Sequence, residues 1–80
     1  MPAQRVDPLS QRLLVQVLRR ALDLHLYQPR DRTAERRVVA VVRRNPHSAL
    51  SSHVLHNLGE RRRVALTAIL ARADARSSEI

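Results

Sequence analysis

Arg36-Arg37-Val38-Val39-Ala40-Val41-Val42-Arg43-Arg44 is the stretch on which the fold turns. Taken alone, a short β-branched run framed by paired arginines reads as a buried strand. Wound into a helix, it places Ala34, Val38, Val41, Val42 and Asn45 on one side, with Arg36, Ala40 and Arg43 roughly opposite. Immediately upstream, Asp31-Arg32-Thr33 offers a cap, and Thr33-Ala34-Glu35 has the character of a helix beginning. The helical reading is preferred, and the fold class is all-α. The strand reading implies a different architecture, a basic strand followed by two helices that dimerises through the strand.

The segments on either side are helical by the same reasoning. Asp7-Pro8 is a helix start, since Asp caps and Pro is tolerated at the first helical position. From Pro8 to about Tyr27, Leu13, Leu14, Val17, Leu18, Ala21, Leu22, Leu24 and His25 share one side. Val15 and Leu26 widen that apolar arc, while Arg12, Gln16, Arg19 and Asp23 occupy the wet side. So wide an arc implies burial on two flanks, either at the centre of a bundle or against a second copy. Leu14, Leu18 and Leu22 are the interface candidates from this helix.

Pro29 stops the first helix, and Asn45-Pro46 ends the second while starting a third. Leu50, Val54 and Leu58 mark the apolar stripe of the third helix, with Leu55 at its margin, and Gly59 follows as a left-handed cap. A last helix is expected from Glu60 to about Ala75. Leu66, Ile69, Leu70 and Ala73 form its large-residue face; Val64, Ala68 and Ala71 form a small-residue face. Leu66, Ile69 and Leu70 complete the expected interface. The chain thus reads as one domain over residues 1–80, a small bundle of about four short helices completed by homodimerisation, with frayed ends near 1–6 and 76–80.

Composition narrows the function. Eighty residues with no cysteine have neither a disulfide nor a thiolate zinc site to support a small core. The apolar residues are Leu, Val and Ala almost alone, with one Tyr and no Phe or Trp, a palette suited to close helix-on-helix packing. All fifteen basic residues are Arg. Codon usage accounts for the missing Lys but not for the formal net charge of +8, which sets a long-range field. No run approaches the ~20 apolar residues that span a bilayer. The opening residues lack the order of a secretory signal, and Asp7 and Asp23 argue against a mitochondrial presequence. A cytoplasmic location is expected.

Arg61-Arg62-Arg63 is the first candidate site. Following Gly59, these residues occupy the first turn of the last helix, where the macrodipole is already positive and free N–H groups and guanidinium forks together suit a phosphate. A solvated charge run is the plain alternative. Arg30, Arg32, Arg36 and Arg37 cluster around the start of the second helix, forming with the triplet an electrostatic footprint for nucleic acid. Arg43 and Arg44 at its end are explained by the helix dipole alone. With Tyr27 as the only aromatic, stacking of unpaired bases is disfavoured and duplex backbone contact remains.

Other chemistry is poorly supplied. A helix-turn-helix around Gly59 matches weakly, because the last helix presents few polar side chains beyond its arginines and Thr67. His53 and His56 are helix neighbours, but no Cys or acid in their element completes a metal site, so no metal and no cofactor are expected. His25 interrupts an apolar face, which would make assembly pH-sensitive if it is buried at a helix contact. One glycine, no cysteine and acids adjacent to Arg leave no enzyme. Three classes follow: a DNA-associated regulator, a protein-binding adaptor or inhibitor using apolar helix faces and an acidic partner, and, least favoured, a membrane-surface helix.

Overall fold

A computed structural model describes residues 8–78, in which every element is helical. The order is α1 (Pro8–Tyr27), α2 (Arg32–Arg44), α3 (Pro46–Ala49), α4 (Ser52–Leu58) and α5 (Glu60–Ser78). The β-branched run lies wholly within α2, so the strand architecture is not adopted. Local chemistry favours that outcome at both ends. Asp31 is extended at the N-cap and its carboxylate accepts from the Thr33 N–H at 2.9 Å. Hydrogen bonds from Thr33 hold the Asp31 carboxyl below its ordinary value of 3.8. At the other end Asn45 closes the helix twice, its backbone N–H and its side-chain amide both donating to the Val41 carbonyl.

α1 is the central element and packs against all four other helices. The middle of its wide apolar arc is therefore satisfied within one chain, and its edges are not. Val15, Leu18, Ala21 and Leu22 are buried, and Leu18 and Leu22 are completely so. Val38 and Val42 of α2, Ala49 of α3, Val54 and Leu58 of α4, and Ala65, Leu66 and Ile69 of α5 close the core over them. Each fully buried Leu or Ile contributes about 1.5–3 kcal/mol of transfer free energy, in a domain small enough for each to matter.

The expected third helix is broken in two. Leu50 and Ser51 interrupt it, Ser51 is extended, and its hydroxyl accepts from the Val54 N–H at 3.3 Å as an N-cap. The break rotates the stripe: Ala49, Val54 and Leu58 are buried, whereas Leu50 faces solvent. A hydroxyl beside the backbone competes with helix continuation, which the apolar spacing alone does not register.

Gly59 joins α4 to α5 with φ 85 and ψ 165. The positive φ agrees with the expected cap, but this ψ lies outside the left-handed helical well, in an extended region that is essentially reserved for glycine. The joint thus turns sharply instead of capping α4 in the usual way. α5 runs to Ser78, past the expected end near Ala75, so Arg76 and Ser77 belong to the helix and not to a tail. Asp7, the expected first cap, lies outside the described residues.

Candidate nucleic-acid interface

α2 turns Ala34, Glu35, Val38 and Val42 inward and leaves all five of its arginines exposed. At about 100° per residue, Arg32, Arg36 and Arg43 form one row and Arg37 and Arg44 a second, all within an arc of about 140°. Ala40 and Thr33, both exposed, lie between the rows. Along the axis, Arg32 and Arg43 are about 16 Å apart at 1.5 Å per residue. Arg30 is exposed in the turn that leads into the helix.

That face carries no exposed carboxylate. Glu35, the one acid of α2, is buried, and its Oε1 accepts from Arg72 Nε of α5 at 3.2 Å. The pair lies at the α2–α5 groove, beside the first arginine row, with Glu35 already engaged by Arg72. The α5 end adds to that row. A groove of about 360 Å³ between α2 and α5 is lined by Arg32, Arg36, Arg43 and Arg76 together with Glu35, Val39 and Ala73, and Ala40 stands at its α2 side. None of these four arginines is held by an ion pair among the described residues.

The triplet Arg61-Arg62-Arg63 is not brought together. Arg62 folds back: Nε and Nη2 donate to Asp23 Oδ1 and Oδ2 at 2.8 and 3.1 Å, and Nη1 donates to the Leu58 carbonyl at 2.9 Å. The hydrogen bond from Arg62 holds the Asp23 carboxyl below its ordinary value, and in return raises the Arg62 guanidinium. Arg61 and Arg63 are exposed but point about 160° apart around the helix. The first turn of α5 also carries Glu60. Its three guanidiniums therefore serve three directions, one of them structural.

The six interface candidates are mostly spent on the core. Leu18, Leu22, Leu66 and Ile69 are buried within the chain, and Leu14 and Leu70 are half-buried. What remains exposed of the α1 arc is a stripe of Leu13, Val17 and Leu24, at 58%, 40% and 43% respectively, with Leu26 exposed apart from it. The small-residue face of α5 also stays outside, with Val64 at 64%. His25 is half-buried, and its Nδ1 is shut away from solvent without a hydrogen-bond partner. His53 and His56 are exposed, and no group of three potential metal ligands occurs among the described residues. No described helix is long and apolar enough to cross a membrane.

The residue pattern points to four members of the α2 face or its approach, Arg30, Arg32, Arg36 and Arg37, but reads Arg43 and Arg44 as dipole partners and Arg76 as part of a tail. Only a helix continued beyond Ala75 puts Arg76, four residues after Arg72, beside α2. No protein-family model matches this chain, and neither the curated proteins nor the solved structures contain a match to it.

Proposed function

We propose that this chain is a small basic regulatory protein that binds duplex DNA through the phosphate backbone, with α2 as the contact helix. The observation that carries the reading is the outer face of α2, where five exposed arginines stand in two rows and the helix's only acid, Glu35, is buried beside them and already paired with Arg72. Guanidinium forks match phosphate oxygens with two parallel hydrogen bonds, and an unpaired fork loses less on binding than one already held by an acid. Arg76 extends the row from α5. A membrane surface suits this face poorly, because Ala40 and Thr33 replace the large apolar side chains that interfacial helices bury.

The test is fluorescence anisotropy of a labelled random-sequence duplex at several salt concentrations. Each phosphate neutralised contributes about −0.9 to the log–log slope, so six engaged arginines give a slope near −5. Binding that ignores salt, or no binding at low salt, removes the reading.

A second reading rests on the exposed stripe Leu13, Val17 and Leu24. Three large apolar side chains in line on one helix support docking onto a protein, either an acidic partner or a second copy of this chain. Sedimentation across a concentration series separates these, and Leu24→Asp, on the surface, abolishes either association while leaving the fold intact.

A further inference from the structure

Beyond phosphate contact, and resting on the duplex reading above, we infer that α2 lies in the major groove of B-form DNA with Ala40 at its leading edge and its two arginine rows straddling the groove. The placement follows from the helix itself. The buried side of α2 is centred near Val38, and Ala40 stands within about 20° of the point diametrically opposite. Thr33 lies beside it on the same ridge, about two turns earlier. The exposed strip of α2 between its two arginine rows is therefore narrow and small, with Ala40 also bordering the α2–α5 groove. On one flank of that ridge are Arg32, Arg36 and Arg43 with Arg76 across the α2–α5 groove; on the other are Arg37 and Arg44.

This arrangement has the dimensions of a groove reader. A helix of about 10–12 Å diameter fits the B-form major groove, which is about 12 Å wide. The two rows then meet the phosphates of opposite strands, and the small ridge lets the backbone approach the base edges closely. A face built only for nonspecific charge attraction has no need of a bare ridge between its rows. The same geometry excludes A-form RNA, whose major groove is deep and too narrow to admit a helix. It equally disfavours single strands, for which the face offers no aromatic platform. An acidic protein surface would leave the bare ridge without a purpose.

The experiment compares a duplex DNA, a duplex RNA and a single strand of equal length, each titrated with the full chain at one salt concentration. Three variants are included, Ala40→Trp, Ala40→Ser and Arg36→Ala/Arg43→Ala, with circular dichroism confirming that each retains its helix content. Duplex DNA is expected to bind tightest. Ala40→Trp, which blocks the ridge without removing any charge, is expected to weaken that binding by roughly tenfold or more, as when one or two base edges are no longer reached. Ala40→Ser is expected to bind as the parent does. If Ala40→Trp binds duplex DNA normally while the double arginine variant is weakened, groove insertion is overturned and the phosphate reading stands. If the double arginine variant is also unimpaired, the phosphate reading falls with it. Equal affinity for duplex RNA overturns the groove assignment directly, and tighter binding to an acidic peptide or to anionic vesicles overturns both.

Discussion

Arg62 grips both carboxylate oxygens of Asp23, thirty-nine residues away, and reaches the carbonyl of Leu58 with its remaining nitrogen. One side chain thus ties α5 to α1 and closes the last turn of α4. The ion pair itself is exposed, with the Asp23 side chain 53% accessible, so solvent screening keeps its contribution at or below about 1 kcal/mol. The bond to Leu58 satisfies a helix-end carbonyl that otherwise turns to water. Arg62→Ala is accordingly expected to cost more stability than Asp23→Asn. Urea melts of both variants check this, and equal losses would show that the Leu58 bond contributes nothing.

The same pair sets an acid limit. Asp23 and the Asp31 cap both have carboxyls held below their ordinary value of 3.8, Asp23 chiefly by the Arg62 side-chain hydrogen bond and Asp31 chiefly by the Thr33 backbone N–H. A carboxyl depressed in the native state contributes stability that is fully present above its unfolded value. That contribution is lost as pH falls below 3.8 toward the lowered native value. Stability is therefore expected to be level in these two contributions above pH 5 and to decline below about 4. In the double variant Asp23→Asn/Asp31→Asn, the decline over that interval becomes shallower.

Glu35 presents the contrasting case, a carboxylate only 12% accessible and held by one hydrogen bond from Arg72. Removing Arg72 leaves that carboxylate buried without its partner, at a cost of about 1–3 kcal/mol. Arg72→Ala is expected to destabilise more than Asp23→Asn. The combined Arg72→Ala/Glu35→Leu variant, which removes the stranded charge as well, should recover much of the loss. Denaturant midpoints of the two variants decide it.

Much of the fold is legible in residue pattern because the apolar arcs are consistent with their ends: Pro8 to Tyr27 is α1, and Val38 and Val42 point inward as the helical period requires. What pattern does not convey is which flank of a wide arc the chain covers itself. Leu18 and Leu22 are equally apolar whether a second copy or the chain's own helices pack on them, and tertiary packing decides for the latter. Leu50 leaves its expected face for a local reason, because the chain breaks there and the Ser51 hydroxyl caps a new helix. The direction of the candidate site's arginines is less legible. Arginine clusters are visible in any reading, but their direction depends on helix phase for α2 and on a tertiary acid, Asp23, for Arg62.

Gly59 provides a test that separates two kinds of glycine requirement. Its φ of 85 with ψ 165 is available to glycine alone, whereas a left-handed helical position also admits Asn. A Cβ built there meets nothing within 4 Å, so any penalty comes from the backbone and not from crowding. Gly59→Ala and Gly59→Asn are both expected to cost about 1–3 kcal/mol. Thermal or urea midpoints check this; an Asn variant that is clearly milder than Ala would return the position to the left-handed well.

The division between α2 and the first turn of α5 is the prediction that bears most directly on function. Both regions concentrate arginine, but Arg32, Arg36 and Arg43 stand on one face whose neighbouring acid, Glu35, is already paired with Arg72, while Arg62 is consumed by Asp23 and Arg61 and Arg63 diverge. Counterion release depends on how many phosphates a surface can reach at once, not on how many charges the chain carries. Replacing Arg32, Arg36 and Arg43 with Ala is expected to flatten the salt slope by about three, one for each phosphate no longer neutralised. Replacing Arg61 and Arg63 with Ala removes two charges of the same sign from the same protein. Only the long-range field is then reduced, so the rate of encounter falls modestly and the slope changes by less than about one. Anisotropy titrations of the two variants across one salt series make the comparison internally controlled. A steeper loss from the α5 pair than from the α2 trio would move the proposed binding surface to the α4–α5 joint.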